Sequence, residues 1–115
     1  MIYLASPYTH PDLKVVEERF KAVCAVSSEI MRRNIELFSP IAHTHPIAMA
    51  GGLPTDWDFW KRFDEWFIQR CDQLWVLMLD GWRNSKGVAA EIEIASAYRK
   101  PVRYLTEEEA VNACV

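Results

Sequence analysis

The run Leu74-Trp75-Val76-Leu77-Met78-Leu79, the turn Asp80-Gly81-Trp82-Arg83-Asn84, and then Ser85-Lys86-Gly87-Val88-Ala89-Ala90-Glu91 decide the fold. An unbroken apolar run of this length suits a strand covered on both faces. Asp-Gly ends it as a turn. Ser85 is a helix-capping residue type, and Val88, Ile92 and Ala95 then recur at helical spacing. Strand, loop and helix in that order are part of a βαβ unit. In a parallel sheet of such units, ligands bind just beyond the C-terminal ends of the strands.

The alternation continues in both directions. Ile2-Tyr3-Leu4-Ala5 is a short buried strand ended by Ser6-Pro7. Pro11-Asp12 starts a helix running to about Asn34, with Val16, Phe20, Val23, Ile30 and Met31 as its apolar stripe. Residues 35–38 are a second strand, broken by Ser39-Pro40. Residues 41–56 carry Pro46, Gly51, Gly52 and Pro54, show no period, and read as a long functional loop. Thr55 or Asp56 caps a helix over 57–70, with Trp60, Phe63 and Phe67 on one face. A helix over about 85–99 precedes a fourth strand at 101–105. Thr106 and Glu109 have capping-box spacing before a last short helix. The expected fold class is therefore α/β: one domain over residues 1–115, a three-layer sandwich with a small parallel sheet of four to five strands.

Composition narrows the function. Half of the 115 residues are hydrophobic, enough for one core. The net charge of −3 leaves no basic footprint, which disfavours nucleic acid as a partner. Cys24, Cys71 and Cys114 are odd in number and lack C-x-x-C spacing, which argues against a disulfide framework or structural zinc and for a reducing compartment. The first apolar run is too short for a signal peptide, and no segment is long enough to cross a bilayer. A cytoplasmic domain with no membrane partner is expected. Trp57, Trp60, Trp66 and Trp82 are more aromatic surface than a small core hides, so a homo-oligomer is expected too.

Two carboxylates stand out. At about 100° per residue, Val88, Ile92 and Ala95 form the sheet-facing stripe of their helix, Glu91 lies on its flank and Glu93 faces water. Glu91 is either an ordinary surface glutamate or a nucleophile kept ionised by the nearby helix N-terminus. Gly87, one turn earlier, leaves room for a ligand. Asp64 sits at the edge of an aromatic helix face. It is either an aspartate bonded to backbone or to a Trp N–H, or a second acid. Tyr3 is either a satisfied core phenol or a site group. Ser6 and Tyr8 follow the first strand and can contact a ligand; Ser85 is a plain N-cap or a phosphate or hydroxyl contact. His43-Thr44-His45 places two histidines at i, i+2, but no third ligand of matching spacing follows, so no metal site is expected. His43 or His45 is a loop histidine or a substrate contact.

Together, Tyr3-Leu4-Ala5-Ser6-Pro7-Tyr8, Asp64 ahead of Cys71-Asp72 and an apolar strand, and Ser85-x-Gly87-Val88-x-x-Glu91-Ile92-x-x-Ala95 resemble the nucleoside 2-deoxyribosyltransferase superfamily. The resemblance spans nearly the whole chain in order, and the last motif is its most specific part. Phe38-Ser39-Pro40-Ile41-x-His43 with Gly52-Leu53-Pro54-x-Asp56-Trp57 is similar to a bacterial branch of that superfamily. The resemblance implies a flavodoxin-like sheet and a nucleoside or nucleoside monophosphate as substrate. It implies that Glu91 attacks C1′ of the sugar, that Asp64 handles the departing base and its proton, and that Tyr3 orients Glu91. The glycosyl-enzyme then passes to a second base or to water, with no metal or organic cofactor. The residue types suit this chemistry: one carboxylate traps an oxocarbenium-like centre, and a second acid assists the leaving group. Ser85 stands where transferases often carry aspartate and is similar to the serine of nucleoside-monophosphate N-glycoside hydrolases, so transfer and hydrolysis both stay open. Relatives complete their pocket from a neighbouring subunit. The alternatives are a non-catalytic nucleotide- or metabolite-binding module on the same fold, and a metal-dependent hydrolase using His43, His45 and an aspartate.

Overall fold

A computed structural model describes residues 1–112. Strands β1 (Ile2–Ala5), β2 (Leu37–Phe38), β3 (Gln73–Leu77) and β4 (Val102–Leu105) form one all-parallel sheet in the order β2-β1-β3-β4. Five helices accompany them: α1 (Leu13–Arg32), α2 (Pro40–Gly51), α3 (Trp57–Arg70), α4 (Lys86–Ala97) and α5 (Glu107–Asn112). This is the flavodoxin-like three-layer α/β fold, with four strands.

β1 explains the layering. All four of its residues are buried, because both faces of the sheet are covered. Ile2 and Leu4 join the core under α1 and α5, with Val16, Val23, Ile30 and Ala110. Tyr3 and Ala5 join the core under α3 and α4, with Ile68, Val88 and Ala95. Tyr3 pairs in register with Phe38 on one side and Leu74 on the other. The chain leaves β1 towards β2 and later leaves β3 towards β4 on the opposite side. The order therefore reverses between β1 and β3, and a crevice opens beyond their C-terminal ends.

Caps set the helix ends. Asp12 accepts from the Lys14 N–H at 2.9 Å to start α1. Asn34, with φ of 61°, ends the turn after α1. Thr106 and Glu109 exchange side chain-to-backbone bonds of 3.0 and 3.1 Å, so the capping box before α5 forms.

Two expectations fail here. Residues 40–51 are a helix, where a loop was read from 41–56. Ser39 accepts from the Ala42 N–H, Pro40 occupies the first turn where its missing N–H is harmless, and Gly52 closes the end at φ of 64°. The helix hid because Ile41, Ala42, Ile47, Ala48, Met49 and Ala50 surround it with apolar residues and leave no polar face to mark a period. In α3, Asp64 and Ile68 are the buried residues, while Phe63 is exposed. The aromatic stripe rides at the edge, and the aspartate faces inward.

Cys24 and Cys71 are free thiols; Cys114 lies outside the described residues. Among the described residues, no helix is long and apolar enough to cross a membrane.

Candidate active site

A cavity of about 300 Å³ occupies the crevice between β1 and β3. Ser6, Tyr8 and Thr9 reach it from the segment after β1, and Asn84, Ser85, Lys86, Gly87 and Glu91 from the turn after β3 and from α4. Asp64 and Trp60 of α3, with Ile41 and Thr44 of α2, close the remaining sides. This placement follows from topology: both βα turns at the switch point feed one crevice.

Glu91 is only 4% exposed, because its helix stripe turns it under α3. Tyr3, fully buried beneath it, donates its hydroxyl to Glu91 Oε2. Asp64 lines the same cavity and is also buried. The Tyr3, Asp64 and Glu91 set that the sequence nominated is thus brought together. Trp60 gives its N–H to the Pro54 carbonyl at 2.7 Å rather than to Asp64. Among the described residues, no hydrogen bond offsets the burial of Asp64.

The electrostatics follow. Burial pushes the Asp64 carboxyl up to about 7. Burial, and then the charge of Asp64, hold the Glu91 carboxyl well above the usual carboxylate range, against the stabilising bond from Tyr3. Burial and both carboxylates raise Tyr3, so it stays a phenol and a donor. The expectation that the helix N-terminus keeps Glu91 ionised is corrected: desolvation and a like charge outweigh a partial dipole. Burial and mutual repulsion in one low-dielectric site favour the form of the pair that keeps one proton over the doubly ionised form. Such a pair supplies one carboxylate and one acid at the same time.

Ser85 caps α4 through the Val88 N–H at 3.2 Å and also lines the cavity. Gly87 lines it too; an added Cβ would lie 3.7 Å from Trp57, in ordinary contact. Ser6 Oγ is buried and, among the described residues, has no hydrogen-bond partner. An unpaired buried hydroxyl at a cavity wall is free to bond to whatever fills the cavity, water or ligand. Lys86 and Asp58 pair at 3.3 Å at the rim. Arg19 of α1 ties the two turns together from outside. It donates to the Thr9 carbonyl at 2.9 Å and to the Asp80 carbonyl at 3.2 Å.

His43 is not with these residues. It lines a second cavity of about 270 Å³ with Phe38, Ile47, Leu53, Phe59, Phe63 and Phe67. Thr44, Trp60 and Asp64 border both cavities. His45, two positions on, lies about 200° around α2 and contacts Tyr8 and Glu17 instead. The two histidines therefore do not converge on one ion. Sequence reasoning missed Thr44, Trp57 and the Tyr8–His45–Glu17 contacts. The Ser39-Pro40 cap was the available signal that this segment is a helix with a buried face.

The chain belongs to the family described as a domain of unknown function, DUF1937, whose family model matches residues 1–107. No curated protein matches it.

Proposed function

We propose that this DUF1937 member cleaves or transfers at the N-glycosidic bond of a nucleoside or nucleoside monophosphate, with Glu91 as nucleophile. One observation carries the reading: two buried carboxyls of α3 and α4 share a cavity, and a phenol is bonded to one of them. In the first step the ionised Glu91 attacks C1′. The C1′–N bond breaks with its electron pair going to the base, and the Asp64 proton follows to the base. Tyr3 holds the attacking carboxylate in place. A second base or water then releases the sugar. The cavity that holds Glu91 suits the sugar, with Ser6, Tyr8, Ser85 and Gly87 as contacts. The aromatic cavity beside Asp64, with His43 in its wall, suits the planar base. The likeness to the nucleoside 2-deoxyribosyltransferase superfamily in the motifs of β1 and α4 supports the same assignment.

The test is a panel of ribo- and deoxynucleosides and their 5′-monophosphates, with free base measured by chromatography. Release by the wild type and none by Glu91→Ala is the expected result. No release from any member, with an identical profile for Glu91→Ala, defeats the reading.

Burial raises the Glu91 carboxyl, which opposes the ionised form that a nucleophile needs. That observation favours the second reading, a nucleotide-binding module. Micromolar affinity for a panel member with no turnover identifies it.

The reading includes self-association through α2 and α3. Ile47, Met49, Phe59, Phe63 and Trp66 are exposed there, continuous with the aromatic cavity, and a second copy of the chain is the occupant assigned. The free thiols of Cys24 and Cys71 suit a cytoplasmic setting.

A further inference from the structure

Tyr8, His45 and Glu17 form a chain of hydrogen bonds from the cavity to the surface. The Tyr8 hydroxyl lies 2.5 Å from His45 Nδ1, and His45 Nε2 lies 2.9 Å from Glu17 Oε2. The three come from three separate places: the segment after β1, helix α2 and helix α1. Tyr8 lines the cavity that holds Glu91. The His45 side chain is 4% exposed and that of Glu17 is 48% exposed, so one end meets the ligand space and the other meets water.

A carboxylate only accepts, so His45 Nε2 donates to Glu17; in the neutral imidazole Nδ1 then accepts and the Tyr8 hydroxyl donates. Phe20 lies against the imidazole with ring centroids 4.3 Å apart and holds its plane. The arrangement is that of a nucleophile, base and carboxylate triad with a phenol at the head. Burial, with the charge of Glu17, pushes the Tyr8 phenol up to about 12. Tyr8 therefore keeps its proton at rest. It can pass that proton to His45 only as it takes another from the cavity.

We propose that Tyr8, relayed through His45 to Glu17, is the general base for the second half of the reaction at Glu91, and that the acceptor it activates is water. The proposal rests on the glycosyl reading above. A water oxygen bonds to C1′ as the C1′–O bond to Glu91 breaks and its electron pair returns to the carboxylate. One water proton passes to Tyr8 Oη as the phenolic proton passes to His45 Nδ1. The imidazolium formed is held beside the Glu17 carboxylate until its extra proton leaves for solvent at that exposed residue, and the Asp64–Glu91 pair regains the proton it gave to the base from water that enters the emptied cavity. Among the described residues, neither Tyr3 nor the Glu91–Asp64 pair has a comparable hydrogen-bonded chain to the surface.

Two measurements test this. The first needs no substrate. Methanesulfonyl fluoride reacts when Tyr8 Oη bonds to sulfur, fluoride leaves, and the phenolic proton goes to His45 Nδ1. Peptide mapping should show Tyr8 sulfonylated about 100-fold faster than the exposed Tyr98 and Tyr104, and slowed to their level by His45→Gln and by Glu17→Gln. Glu17→Gln sits at the surface and keeps the test alive if His45→Gln fails to fold. Labelling of Tyr8 no faster than the surface tyrosines, or unchanged in both variants, overturns the relay. The second measurement is rapid-mixing base release. In the same variants the first-turnover burst should survive while the steady rate falls about 100-fold. An equal fall in burst and steady rate assigns the residues to structure alone and overturns the proposal. Fast sulfonylation of Tyr8 with no base release by the wild type leaves the relay standing and fells the glycosyl reading. Slow sulfonylation with normal release does the reverse.

Discussion

Tyr3 on β1 and Glu91 on α4 are joined by one hydrogen bond across 88 positions of sequence, and neither side chain meets solvent. Tyr3 does not line the cavity, so it acts on a ligand only through Glu91. Tyr3→Phe keeps the ring and removes the donor. The buried Glu91 carboxyl is then left without its partner, at about 1–3 kcal/mol of stability. The expected kinetic outcome is a fall in kcat of about tenfold or more with KM nearly unchanged. A Tyr3→Phe enzyme with unchanged kcat shows that the orientation of Glu91 is set elsewhere.

Glu91→Gln separates stability from function. The amide keeps the shape and still accepts from Tyr3, yet it removes an ionisable group from a desolvated site beside another carboxyl. We expect a variant without activity that is more stable than the wild type by about 1–2 kcal/mol near neutral pH. Urea denaturation followed by tryptophan fluorescence gives the difference. A less stable Glu91→Gln means that the charge is compensated in the native state.

Asp64 sets a pH dependence with a definite sign. Its folded-state carboxyl is raised to about 7, while the unfolded chain titrates near the ordinary value of 3.8. Between those values the folded protein binds more protons than the unfolded one. Stability from this group is therefore full below the lower value and is lost as pH rises through the upper one, by at most about 4 kcal/mol. Asp72 and Glu109, both lowered, act in the opposite sense and at more acid pH, so they do not mask the window. The wild type should be less stable at about pH 7.5 than at about pH 5, and Asp64→Asn should reduce that slope, leaving the part that the buried Glu91 contributes in the same sense. A wild type whose stability rises through this window refutes the assignment.

Much of this was legible in the sequence where the signals are local. The apolar run of β3, the Ser85 cap and the Val88, Ile92, Ala95 stripe all lie within a few turns of one another, and they place Glu91 on the flank of a buried face. The meeting of Glu91 with Asp64 depends on α3 packing against α4. No spacing encodes that contact, and only the position of Asp64 at the edge of an aromatic face hinted at it. α2 was illegible for another reason. An apolar surface all round leaves no amphipathic period, and Pro46 inside it reads as a break. The chain from Tyr8 through His45 to Glu17 joins three elements, so it could not be read before α2 was known to be a helix.

The exposed α2–α3 face makes a prediction about assembly. The Arg62 guanidinium lies over the Phe63 ring at 4.9 Å and that of Arg70 over the Trp66 ring at 3.7 Å, so cations are interleaved with the exposed aromatic surface. Light scattering at micromolar concentration should give a mass at least twice the 13.3 kDa of the chain. Trp66→Glu puts a charge on the exposed part of α3 and should return the protein to a monomer. A wild-type monomer under these conditions counts against the interface.

Gly81 and Gly52 form a matched pair that tests how the cavity walls are held. Both have positive φ, 87° and 64°, which disfavours any residue with a Cβ by about 1 kcal/mol. Around Gly52 an added Cβ meets nothing within 4 Å, whereas at Gly81 it would lie 2.5 Å from Arg19 Nη2. Arg19 is the cation that ties the Thr9 carbonyl, beyond β1, to the Asp80 carbonyl, beyond β3. Gly81→Ala must therefore push the guanidinium away and loosen both turns that line the site. Gly52→Ala should cost about 1 kcal/mol and leave ligand affinity unchanged, while Gly81→Ala should cost about 2–3 kcal/mol and weaken ligand binding as well. Subtracting the first from the second removes the backbone strain common to both and isolates the Arg19 tether. Equal effects of the two substitutions on stability and affinity show that the turns keep their places without it.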